Sequence, residues 1–345
     1  MEKGLMTEFM KEAMFYKELA DDVVQCRLCN HFCAIKPGKR GICGVRENVS
    51  GKLFSLVYGK AVSEAVDPIE KKPLFHFLPG SLAYSVATAG CNFSCLFCQN
   101  SEISQAPKSG GKVVGYDLTP AEIVERAIDE GCRSIAYTYT EPTVFFEYAY
   151  DTAVIAHKKG LKNVFVSNGF MTTEAIDKIL PYLDAINVDV KGSSEVFYKE
   201  VVGARLQPVL DNIRYLHDKG VWVEVTTLIV PGHNDDDKSL KKIGEFVASV
   251  DVNMPWHVSR FFPHFRMSDV APTPVDVLKR AYRIGKKEGI KHIYVGNVPG
   301  SEYENTVCSK CGKVVVKRNG YYIESIDVKD GKCRFCGEKI EGVWK

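Results

Sequence analysis

Eleven of the twelve cysteines in this 345-residue chain lie in three tight groups, and this grouping limits what the chain can fold into. The groups are Cys26, Cys29, Cys33 and Cys43; Cys91, Cys95 and Cys98; and Cys308, Cys311, Cys333 and Cys336. Cysteines of small secreted domains pair as disulfides, whereas clusters of this kind are typical of metal ligands. The spacing predicts a catalytic core with a metal-binding module on each side.

The middle group has the spacing C-x3-C-x2-C and follows an apolar run at residues 81–87 that is typical of a strand. Three thiolates are one short of an ordinary tetrahedral metal site. On a [4Fe–4S] cluster they would hold three irons and leave the fourth open. An open iron can chelate the amino and carboxylate groups of S-adenosylmethionine (SAM), and an electron can then break its sulfonium C–S bond. A three-cysteine zinc site completed by a distant ligand is the alternative.

The first group places four cysteines close enough in sequence to complete one metal site. Four thiolates suit structural zinc and also a second iron–sulfur cluster, so the sequence does not decide which of the two this group binds. His31 lies among them, and a lone histidine in such a turn is more often a neighbour of the site than a ligand.

The last group consists of two C-x2-C-Gly pairs. Residues 313–317 and 321–327 between the pairs are predicted strands, joined by a turn at Asn319-Gly320. Two such pairs at this separation predict a zinc ribbon, with rubredoxin-like iron as the alternative.

Between residues 81 and 299, short apolar runs alternate with longer amphipathic segments. The predicted strands are residues 81–87, 134–137, 163–167, 185–190, 221–230, 257–262 and 292–295, and the predicted helices are residues 120–130, 143–159, 173–180, 208–219, 238–249 and 274–288. This alternation predicts an α/β fold with a parallel sheet and right-handed crossovers. The number of units suits a partial (β/α)6 barrel of the TIM type. A doubly wound open sheet is the runner-up.

The predicted organisation is a four-cysteine metal-binding segment at residues 1–79, a core at residues 80–300 and a zinc-ribbon-like module at residues 301–345. Residues 1–20 predict an amphipathic helix without the apolar block of a signal peptide. A formal net charge of +2 gives no reason to expect an extensive nucleic-acid surface. We expect a cytoplasmic protein, with the solitary Cys132 as a small buried apolar residue.

Polar side chains follow the predicted strands at their carboxyl ends, where parallel α/β folds carry their chemistry. Glu141, Asp189 and Lys191 occupy such positions. Binding SAM requires a carboxylate for its ammonium group, a cation for its carboxylate and hydrogen-bonding partners for its ribose. These three residues supply that chemistry, although each alone is more often a surface or helix-capping residue.

The segment at residues 67–80 (DPIEKKPLFHFLPG), the loop GCNFSCLFCQN and the flanking cysteine groups carry a family resemblance. Residues 80–300 resemble the radical SAM core of the glycyl-radical-enzyme activating enzymes, the pyruvate formate-lyase activase group. Nearly the whole chain is similar to the AmmeMemoRadiSam system radical SAM enzymes. The resemblance implies a [4Fe–4S] cluster, SAM, and reductive cleavage of SAM to a 5′-deoxyadenosyl radical that abstracts hydrogen.

The resemblance also implies roles for single residues. The three cysteines of the middle group ligate the cluster, and Phe97 packs near the adenine of SAM. Glu141 stands where the Gly-Gly-Glu motif of the superfamily contacts the SAM amino group. Tyr139 and Thr140 replace the two glycines of that motif.

Further positions follow from the same resemblance. Ser167 and Asn168 occupy the strand end near SAM, where the activases carry an aspartate for a monovalent cation. Asp189 and Lys191 match the Asp-Leu-Lys element of the activases. The histidine close to SAM corresponds to His257 or His264, and its position after a proline favours the second, His264.

Three classes of function remain at this point. The first is a radical SAM enzyme that abstracts hydrogen from a partner protein or a small molecule, and the second is an RNA-modifying radical SAM enzyme. The third is a non-catalytic zinc scaffold, which the large strand–helix core argues against. The resemblance implies as partners SAM, an electron donor such as flavodoxin or ferredoxin, and Memo-like and AMMECR-family proteins. A likeness of fold does not name the substrate.

Overall fold

The computed structural model describes residues 10–110, 112–298 and 300–345. The chain divides into two compact units. The first unit comprises Met1–Val66, Ala83–Ser94 and Cys98–Asp184, and the second comprises Asp67–Leu82, Cys95–Phe97 and Ala185–Lys345. Among the helices within these described ranges, none is both long enough and apolar enough to cross a bilayer.

Short antiparallel strands open the chain. They are β1 (Lys11–Glu12), β2 (Tyr16–Glu18), β3 (Val24–Cys26), β4 (Ala34–Ile35), β5 (Arg46–Val49), β6 (Lys52–Ser55), β7 (Lys60–Ala61) and β8 (Ser63–Pro68). Two small sheets, with strand orders β2-β3-β4 and β1-β6-β5, carry Cys26 and Arg46 into buried positions.

The helix predicted for residues 1–20 is wrong over residues 10–20, and residues 1–9 lie outside the described part of the chain. Lys11 in β1 pairs with Ser55 in β6, and Tyr16 in β2 pairs with Cys26 in β3. These partner strands satisfy the backbone polar groups of the segment. Helix propensity is a weak preference that such pairing overrides.

The core of the first unit is parallel. Its strands are β9 (Leu82–Ala87), β11 (Ser134–Tyr137) and β12 (Lys162–Ser167), and its helices are α1 (Ser101–Ser104), α2 (Pro120–Asp129), α3 (Phe146–Lys158) and α4 (Thr173–Ile179). The short strand β10 (Tyr116–Asp117) pairs antiparallel with β7 in a separate sheet. β11 pairs in parallel with β9 and with β12, so these three strands end at the same edge. Thr119 caps α2 in a reciprocal capping box with Glu122, as the predicted start of that helix requires.

The core of the second unit repeats this arrangement. It contains β13 (Ala185–Asp189), α5 (Glu195–Phe197), α6 (Gln207–Asp218), β14 (Trp222–Ile229), α7 (Asp237–Val250), β15 (Trp256–Arg260), α8 (Val275–Lys287) and β16 (Ile293–Gly296). The four strands pair in parallel in chain order. Most of their residues are buried, which is typical of a parallel sheet covered on both faces. The α/β fold predicted from the alternating pattern is confirmed.

The chain continues with small antiparallel elements. They are β17 (Thr306–Val307), β18 (Val314–Asn319), β19 (Tyr322–Ile326), β20 (Val328–Lys329) and β21 (Lys332–Cys333). The predicted hairpin is present, but Asn319 pairs with Tyr322, so the turn is Gly320-Tyr321 and the predicted turn was one residue early. Gly320 has φ +61°, which suits glycine at the first turn position.

Candidate functional site

In the first unit, the hydrogen bonds of nearby side chains fix the shape of the cysteine loop. Gln105 donates to the carbonyl of Phe93 at 3.1 Å, and Lys108 donates to the same carbonyl. The sulfur of Cys98 lies 3.2 Å from Ser104 Oγ at the end of α1. These contacts fix the conformation of the loop near its start, at Phe93, and near its end, at Cys98.

Gly90 allows the loop to turn directly before Cys91. Its φ is +99°, and a Cβ atom there would lie 2.7 Å from Cγ1 of Val45. The backbone N–H of Phe93 then donates to Cys91 Sγ at 3.4 Å. A backbone donor aimed at a sulfur stabilises the thiolate form that ligates metal.

Glu141 lies at the carboxyl end of β11 and is 1% exposed. Its Oε1 accepts hydrogen bonds from Thr143 Oγ1 at 2.5 Å and Ser167 Oγ at 2.8 Å, and its Oε2 accepts from the N–H of Asn168 at 2.8 Å. Burial raises the pKa of Glu141, while the hydrogen bonds from Asn168, Thr143 and Ser167 oppose that rise. The carboxylate therefore ties the end of β11 to the end of β12.

Tyr139 adopts φ +64°. This left-handed conformation is uncommon for a residue with a side chain and costs roughly 1–2 kcal/mol. Asn100 Nδ2 donates to the Tyr139 carbonyl at 2.6 Å, and Thr140 Oγ1 donates to the Thr88 carbonyl at 2.8 Å. These hydrogen bonds hold the backbone beside Glu141 in a conformation that glycine adopts more readily.

Asn168 and Asn92 join the end of β12 to the cysteine loop. Asn168 Nδ2 donates to Asn92 Oδ1 at 2.7 Å and lies 4.0 Å from Cys91 Sγ. On the other side, His31 Nε2 lies 2.9 Å from the Asn92 carbonyl. Asn92 therefore connects the cysteine loop to His31, which lies between Cys29 and Cys33 of the first cysteine group.

In the second unit, Asp189 and Lys191 meet Phe97 of the cysteine loop. Lys191 Nζ lies 2.9 Å from Asp189 Oδ2 and 5.8 Å from the centre of the Phe97 ring. Burial lowers the pKa of Lys191, but the charges of Asp189 and Cys95 outweigh this effect and raise it. The backbone N–H of Lys191 also donates to Tyr198 Oη at 3.1 Å. The ammonium group is therefore held charged beside the loop.

The two candidate histidines lie in different surroundings. His257 is buried in β15, and its Nε2 lies 2.7 Å from Glu224 Oε2. His264 is half-buried after β15 and forms a β-bridge with Met267. His257 is thus committed to a buried ion pair or hydrogen bond, whereas His264 lies in a surface loop.

Glu224 is a buried carboxylate within β14. It accepts hydrogen bonds from the backbone N–H groups of Phe75 at 3.0 Å and His76 at 2.8 Å, and from Trp222 Nε1 at 2.9 Å. Burial tends to raise the pKa of Glu224, but hydrogen bonding and the charge of His257 outweigh it and the pKa is lowered. This carboxylate fastens the segment before β9 to the sheet of the second unit.

The second unit contains a cavity of about 340 Å³. Its lining includes His257 and Ser259 of β15, Tyr294 of β16, and the charged side chains of Glu70 and Lys71. A mixed lining of aromatic and charged groups is typical of a site for a small polar ligand.

The last four cysteines form a compact group. Cys308 Sγ lies 3.6 Å from Cys336 Sγ, and Cys311 Sγ lies 3.7 Å from Cys333 Sγ. All four sulfur atoms lie within 4.8 Å of one another. Their arrangement can hold one tetrahedral metal ion.

Several of these residues were not predicted from the sequence. Asn92 lies inside the cysteine motif, where only the cysteines and Phe97 were singled out. Glu147, which pairs with Arg46 at 2.7 Å, and Glu224 are fully buried carboxylates. A carboxylate in an otherwise apolar strand or helix face is the signal that could have identified both, because a buried charge requires a partner. Cys132 is buried, as predicted.

Comparisons with known proteins give a family for the core of this chain. Residues 85–247 match the family model described as the radical SAM superfamily. The chain is 48% identical over 335 residues to "Uncharacterized protein MJ0808" of Methanocaldococcus jannaschii, covering 96% of this chain and 99% of that protein. It is also 27% identical to "Pyruvate formate-lyase 1-activating enzyme" of Escherichia coli over 46% of this chain and 65% of that enzyme.

Among solved structures, a radical SAM methyltransferase from Sphaerobacter thermophilus superposes with a TM-score of 0.50 at 18% identity. The match covers 64% of this chain and 67% of the methyltransferase. Identity this low shows a shared fold and nothing about substrate. With the matching family model and the full-length relative, the cysteine loop and parallel strands show that this chain belongs to the radical SAM superfamily.

Proposed function

We propose that Cys91, Cys95 and Cys98 hold a [4Fe–4S] cluster and that residues at the strand ends bind SAM. The donor set fits the group, because three thiolates leave one iron of a cubane without a protein ligand. When bound, the cluster supplies the electron that cleaves SAM to methionine and a 5′-deoxyadenosyl radical, which abstracts hydrogen from the substrate.

The observation that carries the SAM proposal is the position of Lys191. Its side chain is 14% exposed, and its ammonium group is paired with Asp189 and lies next to the ring of Phe97. A cation, a carboxylate and an aromatic face so close together match the carboxylate, ribose hydroxyl and adenine groups of SAM. We assign Lys191 to the SAM carboxylate, Asp189 to the ribose and Phe97 to the adenine.

In the first unit, Ser167 and Asn168 would present polar groups to SAM. Glu141 orders both of them through its hydrogen bonds, so it acts at least as a positioning residue. Direct contact between Glu141 and the SAM ammonium group stays a prediction. Contact between His264 and SAM also stays a prediction, and we favour His264 over His257 because His257 is already bound to Glu224.

We further propose that the α/β core closes as the partial (β/α)6 barrel and that the last four cysteines bind zinc as a ribbon. Sulfur–sulfur distances of 3.6 and 3.7 Å support the zinc assignment. A tetrahedral site with Zn–S bonds of about 2.3 Å requires sulfur atoms roughly 3.8 Å apart.

The substrate class that we favour is a partner protein or a small molecule from which hydrogen is abstracted, as for a glycyl-radical activase. The likeness to the activating enzyme of Escherichia coli supports this choice. The cavity of about 340 Å³ in the second unit is large enough to admit a side chain or a small ligand. Flavodoxin or ferredoxin as electron donor, and Memo-like or AMMECR-family proteins as partners, are part of the same proposal.

The test is the formation of 5′-deoxyadenosine from SAM by anoxically purified, reduced protein. We expect Cys95→Ala to abolish this product while the circular dichroism spectrum stays that of the folded protein. Cys132→Ala is the matched control, because it removes a buried cysteine outside the three groups and should retain the activity. Cleavage by Cys95→Ala at the wild-type rate would refute the assignment of the cluster.

A further inference from the structure

The first cysteine group encloses a cavity of its own within the first unit. The cavity is lined by Cys26, Cys29, Cys33 and Cys43, together with the side chains of Arg46 and Asn92 and several apolar residues. The four cysteines are not disulfide-bonded. Four thiols facing one enclosed space constitute a complete set of metal ligands.

The spacing of these thiols differs from that of the last cysteine group. In the described part of the chain, a group of mutually close metal-ligand atoms, all within 4.8 Å, occurs at Cys308, Cys311, Cys333 and Cys336 and not at the first group. One zinc ion requires sulfur atoms roughly 3.8 Å apart, an arrangement that the last group already has and the first group matches less well. A [4Fe–4S] cluster binds each thiolate to a different iron and therefore requires wider spacing.

Two buried hydrogen-bond donors at this cavity also favour an iron–sulfur cluster. Arg46 Nε and Asn92 Nδ2 have no hydrogen-bond partner among the described residues, and the two residues are 2% and 1% exposed. Burying an N–H group without an acceptor is unfavourable, so such groups call for a ligand that accepts. The sulfides and thiolates of an iron–sulfur cluster are acceptors, and hydrogen bonds to them tune its reduction potential.

Two bonds of 2.7 and 2.9 Å to Glu147 hold the guanidinium group of Arg46 in place at the wall of the cavity. Because Glu147 neutralises this positive charge, Arg46 contributes an N–H donor to the site and not a net charge.

We propose that Cys26, Cys29, Cys33 and Cys43 bind a second [4Fe–4S] cluster, with Arg46 and Asn92 donating to its sulfur atoms. Because all four irons have a thiolate, this cluster has no open iron and does not bind SAM. Its chemistry is the gain and loss of one electron, taken from a low-potential one-electron donor of the ferredoxin or flavodoxin class. No bond forms or breaks.

The same contacts suggest where that electron goes, a step that rests on the proposed function. Asn92 lines this cavity, and its neighbour in sequence, Cys91, belongs to the middle group. His31, which lies between Cys29 and Cys33, contacts the Asn92 carbonyl at 2.9 Å. The wall of this cavity thus includes a residue of the loop that must receive an electron before SAM is cleaved.

The test separates the two clusters. The triple variant Cys91→Ala/Cys95→Ala/Cys98→Ala, purified without oxygen, should keep about four irons and four sulfides per chain. After reduction it should show an EPR signal that SAM does not change. Adding Cys26→Ala/Cys29→Ala should remove this iron, whereas Cys308→Ala/Cys311→Ala, the matched control, should leave it in place.

If the triple variant does not fold, the wild-type protein decides the matter by its metal content. About eight irons and one zinc per chain support the second cluster, and about four irons and two zincs overturn it. An iron-free, zinc-containing triple variant would overturn it as well. Because the triple variant lacks the middle cysteines, iron retained there supports this inference even if the wild-type protein does not cleave SAM.

Discussion

At the scale of single residues, Lys191 gives the sharpest test of the proposed SAM site, because we assign its ammonium group to the SAM carboxylate. We expect Lys191→Ala to weaken SAM binding at least tenfold, which corresponds to about 1.4 kcal/mol, because the SAM carboxylate loses its cation. The midpoint of thermal unfolding should change little. Isothermal titration with SAM measures the affinity.

Lys241→Ala is the matched control, because Lys241 is an exposed lysine of α7 that pairs with Glu245 across one helical turn. Its affinity for SAM should equal that of the wild type. Unchanged affinity in Lys191→Ala would remove Lys191 from the SAM site.

Glu224 is the residue whose loss should most affect the stability of the second unit. Each of its oxygens accepts two hydrogen bonds, so the NH2 group of a glutamine would face donors in either orientation. We expect Glu224→Gln to lower the free energy of unfolding by about 2–4 kcal/mol. Urea denaturation at neutral pH measures this, and Glu245→Gln on the surface of α7 is the control.

The pH dependence of stability gives a second readout for Glu224. Its pKa is lowered in the folded protein, so the stabilisation is present above the unfolded pKa of about 4.3 and is lost as pH falls through the folded value. Glu224→Gln should therefore flatten the acid side of the stability profile. A variant as acid-sensitive as the wild type would show that another group is responsible.

At the scale of elements, regular patterns in the sequence predicted the core well. The capping box at Thr119 and the apolar runs of β9 to β16 are local signals, so their strands and helices appear with small shifts in bounds. The helix prediction failed at residues 10–20 because the strands there form by pairing with β3 and β6. Such partners cannot be predicted from local composition.

The same distinction explains which parts of the site were predictable. The cysteines within each group are close to one another in sequence, and so are Asp189 and Lys191. Local patterns could therefore identify them. By contrast, Arg46 and Glu147 lie 101 residues apart, and Glu224 gathers donors from as far away as Phe75. Those contacts are set by the folded topology, so only the structure could reveal them.

The element formed by the last four cysteines should depend on its metal. Its buried cluster contains only Cys308, Val315, Cys333 and Ile340, with three partly buried neighbours, which is too small a core to be stable alone. We expect Cys311→Ala/Cys336→Ala to lose one zinc per chain and to lose hydrogen-exchange protection in β18 and β19. Cys132→Ala should keep both, and a double variant with full protection would show that zinc is not structural there.

At the scale of the whole molecule, the three cysteine groups divide the chemistry between them. The middle group is proposed to activate SAM, the first to carry electrons and the last to stabilise a small module. The number of cysteine ligands distinguishes the SAM-activating cluster from the electron-carrying one, because three thiolates leave an open iron and four do not.

The most direct measurement is the EPR spectrum of anoxically purified, reduced protein with and without SAM. We expect a reduced [4Fe–4S] signal of which one component changes shape when SAM is added, because SAM binds the open iron of the Cys91, Cys95 and Cys98 cluster. A protein that contains only zinc after anoxic reconstitution, or an iron–sulfur signal that SAM leaves wholly unchanged, would contradict it.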